Sequence, residues 1–175
     1  DCDLKGNYQV KNQRTALAAL EILTKKGFKI SHTDTQRGIG SVVSNTGLLG
    51  RWQVLGTLPT LVCDTAHNKE GLLFTTKQLQ QINQGVLHIV FGVVGDKDLE
   101  AILPLLPSSA RYYFCAPNIP RALNVAILKQ KAIDFSLTGN SFKSVKAALR
   151  AALKAAAIND IIYVGGSTFV VAEVV

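Results

Sequence analysis

The feature that most constrains the fold is a continuous apolar run, V-L-H-I-V-F-G-V-V, at residues 86–94. Such a run is typical of a strand that is buried on both faces, as in a parallel sheet. Shorter strand-like segments occur at residues 51–55, 58–63, 111–116, 132–136 and 160–164. Segments with helical character separate most of them, at residues 69–82, 99–106, 121–131 and 142–157. Because strands that alternate with helices imply βαβ units, we predict an α/β fold, a mostly parallel sheet with helices on both faces.

The first part of the chain has a different character. A helix is predicted over residues 7–26, where Leu17, Leu20 and Leu23 recur at helical spacing, and Gly27 ends it. A weaker helix, rich in glycine and serine, is predicted over residues 36–49. We therefore assign residues 1–48 to an element of a preceding domain plus a linker, and residues 49–175 to the sheet domain. The tail after the last strand is expected to be helical.

Composition narrows the setting. No apolar run approaches the roughly 20 residues that span a bilayer, so we expect no membrane partner. The three cysteines have no paired spacing, which indicates a reducing, cytoplasmic location without disulfides. The net charge of +7 is scattered over helix faces, which favours a solvated basic surface over a nucleic-acid site. Because the chain contains no methionine, we expect a fragment of a longer protein.

Polar residues follow the predicted strands at their carboxyl ends, where ligands bind in open parallel sheets. The segment T-L-V-C-D-T-A-H-N ends a strand in Asp64 and then supplies His67 and Asn68. Asp64 could accept hydrogen bonds from a ribose diol or could cap the next helix, a role open also to Thr65 and Asn68. His67 could contact a phosphate or take up a proton, or it could be structural.

Three further residues are candidates at the same edge. Arg51, in L-G-R-W-Q, offers a guanidinium fork for phosphate oxygens, although a surface ion pair would explain it equally. Lys97, in G-V-V-G-D-K-D, could hold a carboxylate or be merely solvated. The turn that ends in Ser167 could receive an anion or could simply need flexible glycines. The sequence contains neither a phosphate-binding loop nor metal-ligand spacing.

The order of these motifs resembles folylpolyglutamate synthase/dihydrofolate synthase, a family within the Mur ligase superfamily. The motifs are Y-Q-V-K-N (8–12), L-G-R-W-Q (49–53), D-T-A-H-N (64–68), G-D-K-D (95–98), P-R-A-L (120–123) and V-G-G-S (164–167). The resemblance covers nearly the whole chain and implies a Rossmann-like C-terminal ligase domain. Residues 1–48 would then be the terminal helix of the preceding ATPase domain plus a linker.

The resemblance also implies an activity. Such enzymes use ATP and magnesium to phosphorylate a folate or dihydropteroate carboxylate, and the amine of L-glutamate attacks the acyl phosphate. The phosphate-binding loop and the magnesium ligands would lie in the N-terminal ATPase domain. We therefore expect the fragment to be inactive alone and to contain no metal ligand. We also expect it to be a monomer.

Residue roles follow from the same resemblance. Asn12 would contact adenine, Arg51 the ATP phosphates and Asp64 the ribose. His67, the catalytic candidate, would lie between the phosphates and the incoming glutamate. The glutamate carboxylates would be held by Lys97, Ser167 and Arg121.

Three alternatives remain open at this point. The chain could be a non-catalytic α/β module that binds a nucleotide or another anion. It could belong to another Mur-type amino-acid ligase that acts on a cell-wall precursor. It could also be a purely structural interaction domain, in which case Asp64 and His67 would be dispensable for activity.

Overall fold

A computed structural model describes residues 2–175, which form one six-stranded sheet with helices on both faces. The strands are β1 (Gln53–Thr57), β2 (Thr60–Cys63), β3 (Leu87–Phe91), β4 (Arg111–Phe114), β5 (Gly139–Ser141) and β6 (Ile161–Gly165). Their order in the sheet is β1-β2-β6-β3-β4-β5. Only β1 runs antiparallel, against β2, and the other neighbouring pairs are parallel. The predicted fold class is confirmed.

Eight helices accompany the sheet in the described residues. They are α1 (Gln9–Lys25), α2 (His32–Gly40), α3 (Val42–Thr46), α4 (Lys69–Ile82), α5 (Leu99–Ile102), α6 (Val125–Ile133), α7 (Val145–Ala155) and α8 (Thr168–Ala172). A short 3₁₀ turn, Leu103–Leu105, continues α5. The tail after β6 is helical, as predicted. None of the helices within residues 2–175 combines the length and apolar character that crossing a membrane requires.

Successive residues of the central strands alternate between two separate cores, because side chains in a strand point to opposite faces. Ile89 and Phe91 of β3 pack in the core that α4, α5 and α6 cover. Val90 of the same strand packs in the core that α7 and α8 cover. Both faces are therefore apolar, which explains the uninterrupted apolar run in the sequence.

The cores also contain a buried histidine and two buried cysteines, His88, Cys63 and Cys115. His88 lies fully buried in β3, between the Tyr113 hydroxyl at 2.9 Å and the Asp160 carboxylate at 3.2 Å. Both ring nitrogens of His88 therefore have a hydrogen-bond partner. Burial raises the pKa of the Cys63 and Cys115 thiols to about 12, so both behave as small apolar residues.

The predicted strand at residues 132–136 is wrong. Its first two residues complete α6, and Ala132 is buried at the helix end. The strand that closes the sheet is β5, a polar Gly-Asn-Ser segment with no strand signal in its composition. Because β5 is an edge strand of three residues, it is fixed by pairing with β4 rather than by its own propensity.

Two predicted helices have different limits in the structure. The single helix over residues 36–49 is wrong: α2 begins at His32, behind a capping box formed by Ser31 and Asp34, and a break at Ser41 separates it from α3. The helix predicted from Arg121 begins only at Val125, because the Asn124 side chain accepts a hydrogen bond from Ala126 and caps it.

The sheet topology brings three strand ends together. The connection from β2 through α4 leads to β3 and passes β6, which lies between these two strands. The carboxyl ends of β2, β6 and β3 therefore stand side by side. Helices leave this edge toward opposite faces, α4 after β2 and α8 after β6, and such a switch in direction opens a crevice for ligands.

Candidate functional site

The loop before β1 has an unusual backbone that fixes Arg51. Gly50 and Trp52 adopt positive φ angles of 71° and 50°, and the latter is uncommon for a bulky residue. A side chain at Gly50 would collide with Val171 and Thr65, so this position requires glycine. Trp52 is buried while Arg51 is exposed, and the loop thus anchors an arginine that points away from the core. Strained backbone of this kind is found where geometry serves a site.

Asp64 is the centre of a buried hydrogen-bond network although it carries a carboxylate. Its Oδ2 accepts from the Tyr8 hydroxyl and from the Trp52 backbone amide, both at 2.7 Å. Its Oδ1 accepts from the Ala66 amide at 2.8 Å. The side chain is only 1% exposed, and burial raises the pKa of this carboxyl against the lowering effect of those bonds and of the Arg51 charge. Asp64 therefore holds the loop, β2 and the N-terminal segment together.

The N-terminal segment reaches this site through α4. The Gln78 side chain accepts a hydrogen bond from the Asn7 amide at 2.7 Å and donates one to the Lys5 carbonyl at 3.2 Å. This clamp places Tyr8 over Asp64 and starts α1 beside the sheet edge. Tyr8 belongs to the motif Y-Q-V-K-N but was not among the predicted site residues, because nothing in the local sequence signals a contact 56 residues away.

The first cavity at this edge, the Asp64 cleft, has a volume of about 300 Å³. It brings together four of the predicted site residues, which are Asn12, Arg51, Asp64 and His67. Tyr8, Lys11 and Phe74 also line it, and the Lys11 ammonium lies 4.6 Å from the centre of the Phe74 ring. Three side chains able to carry positive charge thus border a cleft whose inner end is a hydrogen-bonded carboxylate.

The second cavity, the Ser167 cleft, has a volume of about 200 Å³. It unites the other three predicted residues, Lys97, Arg121 and Ser167, and it is also lined by His67. Arg121 is positioned by Phe169, whose ring centre lies 5.0 Å from the guanidinium, and by an exposed contact with Asp96 at 3.9 Å. Phe169 was not among the predicted site residues, because nothing in the local sequence signals its contact with Arg121.

Ser167 is 3% exposed and caps α8, since its Oγ accepts a hydrogen bond from the Phe169 amide at 3.2 Å. Within the described residues its own hydroxyl proton has no acceptor, so it can be donated into the cleft. Gly165, two residues earlier, leaves space that the Tyr163 ring occupies. The Tyr163 hydroxyl in turn reaches the Asp64 carbonyl at 3.4 Å, which links the ends of β6 and β2.

His67 lies where the two clefts meet, because it lines both. Its Nδ1 is 2.9 Å from the Thr65 carbonyl, and a carbonyl can only accept, so Nδ1 carries the proton. The exposed Nε2 is left to face a ligand as an acceptor, or as a donor when the ring is protonated. The next residue, Asn68, caps α4 through a 2.8 Å bond from the Gly71 amide, which resolves the choice of cap.

The chemistry of the side chains decides which ligands fit. Cationic and amide groups suit phosphate and carboxylate oxygens. Within residues 2–175 no group of three His, Cys, Asp or Glu side chains could hold a metal ion. The Thr65 hydroxyl is buried without a hydrogen-bond partner in the wall of the Asp64 cleft.

Comparison with known proteins gives the family. Residues 50–168 match the family model described as Mur ligase, glutamate ligase domain. The dihydrofolate synthase/folylpolyglutamate synthase of Escherichia coli (strain K12) is 32% identical over 93% of this chain and 36% of its own length. The protein of the same name from Buchnera aphidicola subsp. Acyrthosiphon pisum (strain APS) is 30% identical over 91% and 38%. The chain thus spans 36–38% of the length of these two relatives.

Solved structures agree with the sequence relatives. Escherichia coli FolC in complex with DHPP and ADP is similar with a TM-score of 0.81 and 31% identity, over 93% of this chain and 37% of that chain. Mycobacterium tuberculosis folylpolyglutamate synthase complexed with ADP and AMPPCP has a TM-score of 0.83 and 25% identity, over 98% and 40%. The resemblance stated from the motifs is confirmed. This chain belongs to the Mur ligase family and carries its glutamate ligase domain.

Proposed function

We propose that the chain is the C-terminal part of an ATP-dependent ligase that adds L-glutamate to folate or dihydropteroate through an acyl phosphate. Residues 1–48 would contribute the last helix of an N-terminal ATPase domain and a linker, and residues 49–175 the glutamate ligase domain. The relatives named folylpolyglutamate synthase or dihydrofolate synthase support this activity. The free thiols of Cys63 and Cys115 support a cytoplasmic location.

The observation that carries the proposal is the position of His67 at the junction of two clefts with different chemistry. A ligase of this kind must bring an activated carboxyl group and an amine to one point. Two anionic substrates repel each other, so cationic groups and fixed positions contribute more than acid–base residues alone. A cleft for ATP beside a cleft for L-glutamate, with a shared imidazole between them, would bring the acyl phosphate formed at the ATP γ-phosphate next to the glutamate amine.

The Asp64 cleft is assigned to ATP. Arg51 is exposed at its rim and would contact the phosphates, because a guanidinium offers paired donors to phosphate oxygens. Asn12, exposed on α1, would contact the adenine, and Asp64 would accept from the ribose at the inner end. The solved structure of Escherichia coli FolC is a complex with DHPP and ADP, which supports nucleotide binding by the relatives.

The Ser167 cleft is assigned to L-glutamate. Lys97 and Arg121 supply positive charge for its carboxylates, and the Ser167 hydroxyl can donate one further hydrogen bond. His67 Nε2 would accept a proton from the glutamate amine, so that the amine can attack the acyl phosphate carbon and inorganic phosphate can leave. A related crystal structure, of a bifunctional folylpolyglutamate synthase/dihydrofolate synthase, has Mn, AMPPNP and L-glutamate bound. It supports glutamate as a ligand in the family.

The metal is assigned to the rest of the protein. Residues 2–175 contain no group of three His, Cys, Asp or Glu side chains that could hold a metal ion. We infer that magnesium is held by the N-terminal ATPase domain, together with the phosphate-binding loop. The parent enzyme would then work only when both lobes close on the nucleotide.

Nucleotide titrations of the 175-residue chain, followed by amide NMR, test the site division. We expect weak ATP binding that shifts the Trp52 and His67 signals, and a loss of at least fivefold in affinity for Arg51→Ala. Arg14→Ala is the matched control, because Arg14 is an exposed arginine on α1 that does not line the cleft. Equal effects of the two substitutions would refute the phosphate assignment.

Activity provides the second test. The chain alone is expected to show no ATP-dependent glutamate ligation, whereas the protein that also contains the ATPase domain should be active. In that longer protein, His67→Ala and Asp64→Ala should reduce turnover strongly. Turnover by the 175-residue chain alone would contradict the division of labour between the two lobes.

A further inference from the structure

The Asp64 carboxylate has little hydrogen-bonding capacity left for a ligand. Its two oxygens together offer about four acceptor positions. Oδ2 already accepts from Tyr8 and Trp52, and Oδ1 accepts from Ala66. One position remains, on Oδ1, so Asp64 can receive one hydroxyl group but not the two of an intact ribose.

The Tyr8 hydroxyl has the capacity that Asp64 lacks. It donates its proton to Asp64 Oδ2 at 2.7 Å, and its oxygen, which also contacts the Arg51 guanidinium, keeps one lone pair that can accept a further hydrogen bond. Tyr8 is half-buried and lines the Asp64 cleft beside Arg51. A hydroxyl that donates to Tyr8 would extend a chain of hydrogen bonds into the carboxylate, and such chains strengthen one another.

The position of Tyr8 is fixed by its surroundings. Gln78 bonds to the backbone on both sides of Gly6, at Lys5 and Asn7. Gln9, the residue after Tyr8, is buried against the domain. The phenol is thus held in place by groups outside the cleft, as a residue that selects a ligand must be.

We propose that Tyr8 is a ribose-recognition residue that shares the diol with Asp64, one hydroxyl donating to Asp64 Oδ1 and the other to Tyr8 Oη. The proposal rests on the assignment of the Asp64 cleft to ATP. It makes the segment before α1 part of the nucleotide site, so selection for a ribonucleotide over a deoxynucleotide requires two elements that are far apart in the sequence.

The test compares ATP, 2′-deoxy-ATP and 3′-deoxy-ATP on the chain and on its Tyr8→Phe variant, with dissociation constants from NMR titration. Each missing hydroxyl should weaken binding to the unaltered chain about three- to tenfold, the effect of one net hydrogen bond. In Tyr8→Phe, one of the two deoxynucleotides should bind as well as ATP, while the other should still bind more weakly. Tyr112→Phe is the matched control, because that hydroxyl bonds to the Pro107 carbonyl outside the cleft.

The outcomes separate this inference from the proposed function. If the unaltered chain distinguishes both deoxynucleotides from ATP and Tyr8→Phe does so equally, the role of Tyr8 is refuted and the nucleotide assignment stands. If the unaltered chain binds all three alike or binds none, the ribose assignment of the Asp64 cleft fails, and the inference falls with it. Loss of one selectivity in Tyr8→Phe but not in Tyr112→Phe supports the proposal.

Discussion

The backbone amide of Asn7 donates a 2.7 Å hydrogen bond to Oε1 of Gln78, a side chain 71 residues further along the chain. Gln78 is buried in α4, and it also binds the Lys5 carbonyl. Two main-chain groups of an otherwise irregular segment are therefore satisfied by a single amide. The start of α1 is joined to the sheet domain at this point.

Removal of this clamp should loosen α1. We expect Gln78→Ala to lower the free energy of unfolding by about 1–3 kcal/mol, because it leaves the Asn7 amide and the Lys5 carbonyl without their partner. Amide hydrogen exchange at residues 7–12 should accelerate more than exchange in β3. Gln80→Ala, at an exposed position of the same helix, is the control and should change neither quantity. Unchanged exchange at residues 7–12 in Gln78→Ala would contradict the clamp.

Gly50 should tolerate substitution less well than Gly47. Both have positive φ, 71° and 66°, so alanine costs about 1–2 kcal/mol in backbone energy at either position. Only Gly50 is also crowded, by Val171 and Thr65, whereas the space around Gly47 is open. Gly50→Ala should therefore lower the free energy of unfolding, measured by chemical denaturation, by about 1–3 kcal/mol more than Gly47→Ala does. Equal losses would show that the contacts around Gly50 relax freely.

The buried hydroxyl of Thr65 contributes no hydrogen bond, so its loss should be harmless to stability. We expect Thr65→Val to leave the free energy of unfolding unchanged or to raise it by up to about 1 kcal/mol. Thr75→Val is the matched comparison, because the Thr75 hydroxyl donates to the Gly71 carbonyl at 2.9 Å. The free energy of unfolding of that variant should be lower by about 1 kcal/mol, and thermal and denaturant unfolding of both variants would measure the difference. A larger loss for Thr65→Val than for Thr75→Val would indicate an unrecognised partner.

Asp160 should make stability depend on acidity. The amides of Val86 and Ala157 hold the pKa of its carboxyl below the ordinary value, so the unfolded chain takes up this proton first as the pH falls. The stabilisation is complete above the unfolded pKa of about 3.9 and is lost as the pH falls from there through the folded pKa. Asp160→Asn should lower the free energy of unfolding at neutral pH, and that free energy should then decline less steeply as the pH falls below about 4. If urea denaturation shows the same decline in the variant as in the unaltered chain, Asp160 is not the cause of the pH dependence.

Much of this architecture was predictable because it rests on local composition. The buried run at β3 and the spacing of α4 and α7 determine the alternation of strands and helices. The motif order placed seven candidate residues at one edge, and the two clefts contain all seven. Their roles in binding remain predictions.

The features that escaped prediction depend on distant contacts. The edge strand β5 has no β-forming residues and exists only through its pairing with β4. The bond from Tyr8 to Asp64 joins positions 56 residues apart, and the sharing of His67 between two clefts depends on the order of the strands. Local propensity carries no information on such relationships.

The two outer strands have a consequence for how copies of the chain meet each other. An open sheet can aggregate when an edge offers a regular row of unpaired amides and carbonyls. Here β5 is only three residues long and polar, and the register of β1 is shifted between Val54 and Gly56. Both edge strands are therefore poor templates for a strand from another molecule. We expect no edge-to-edge association of these sheets in concentrated solution.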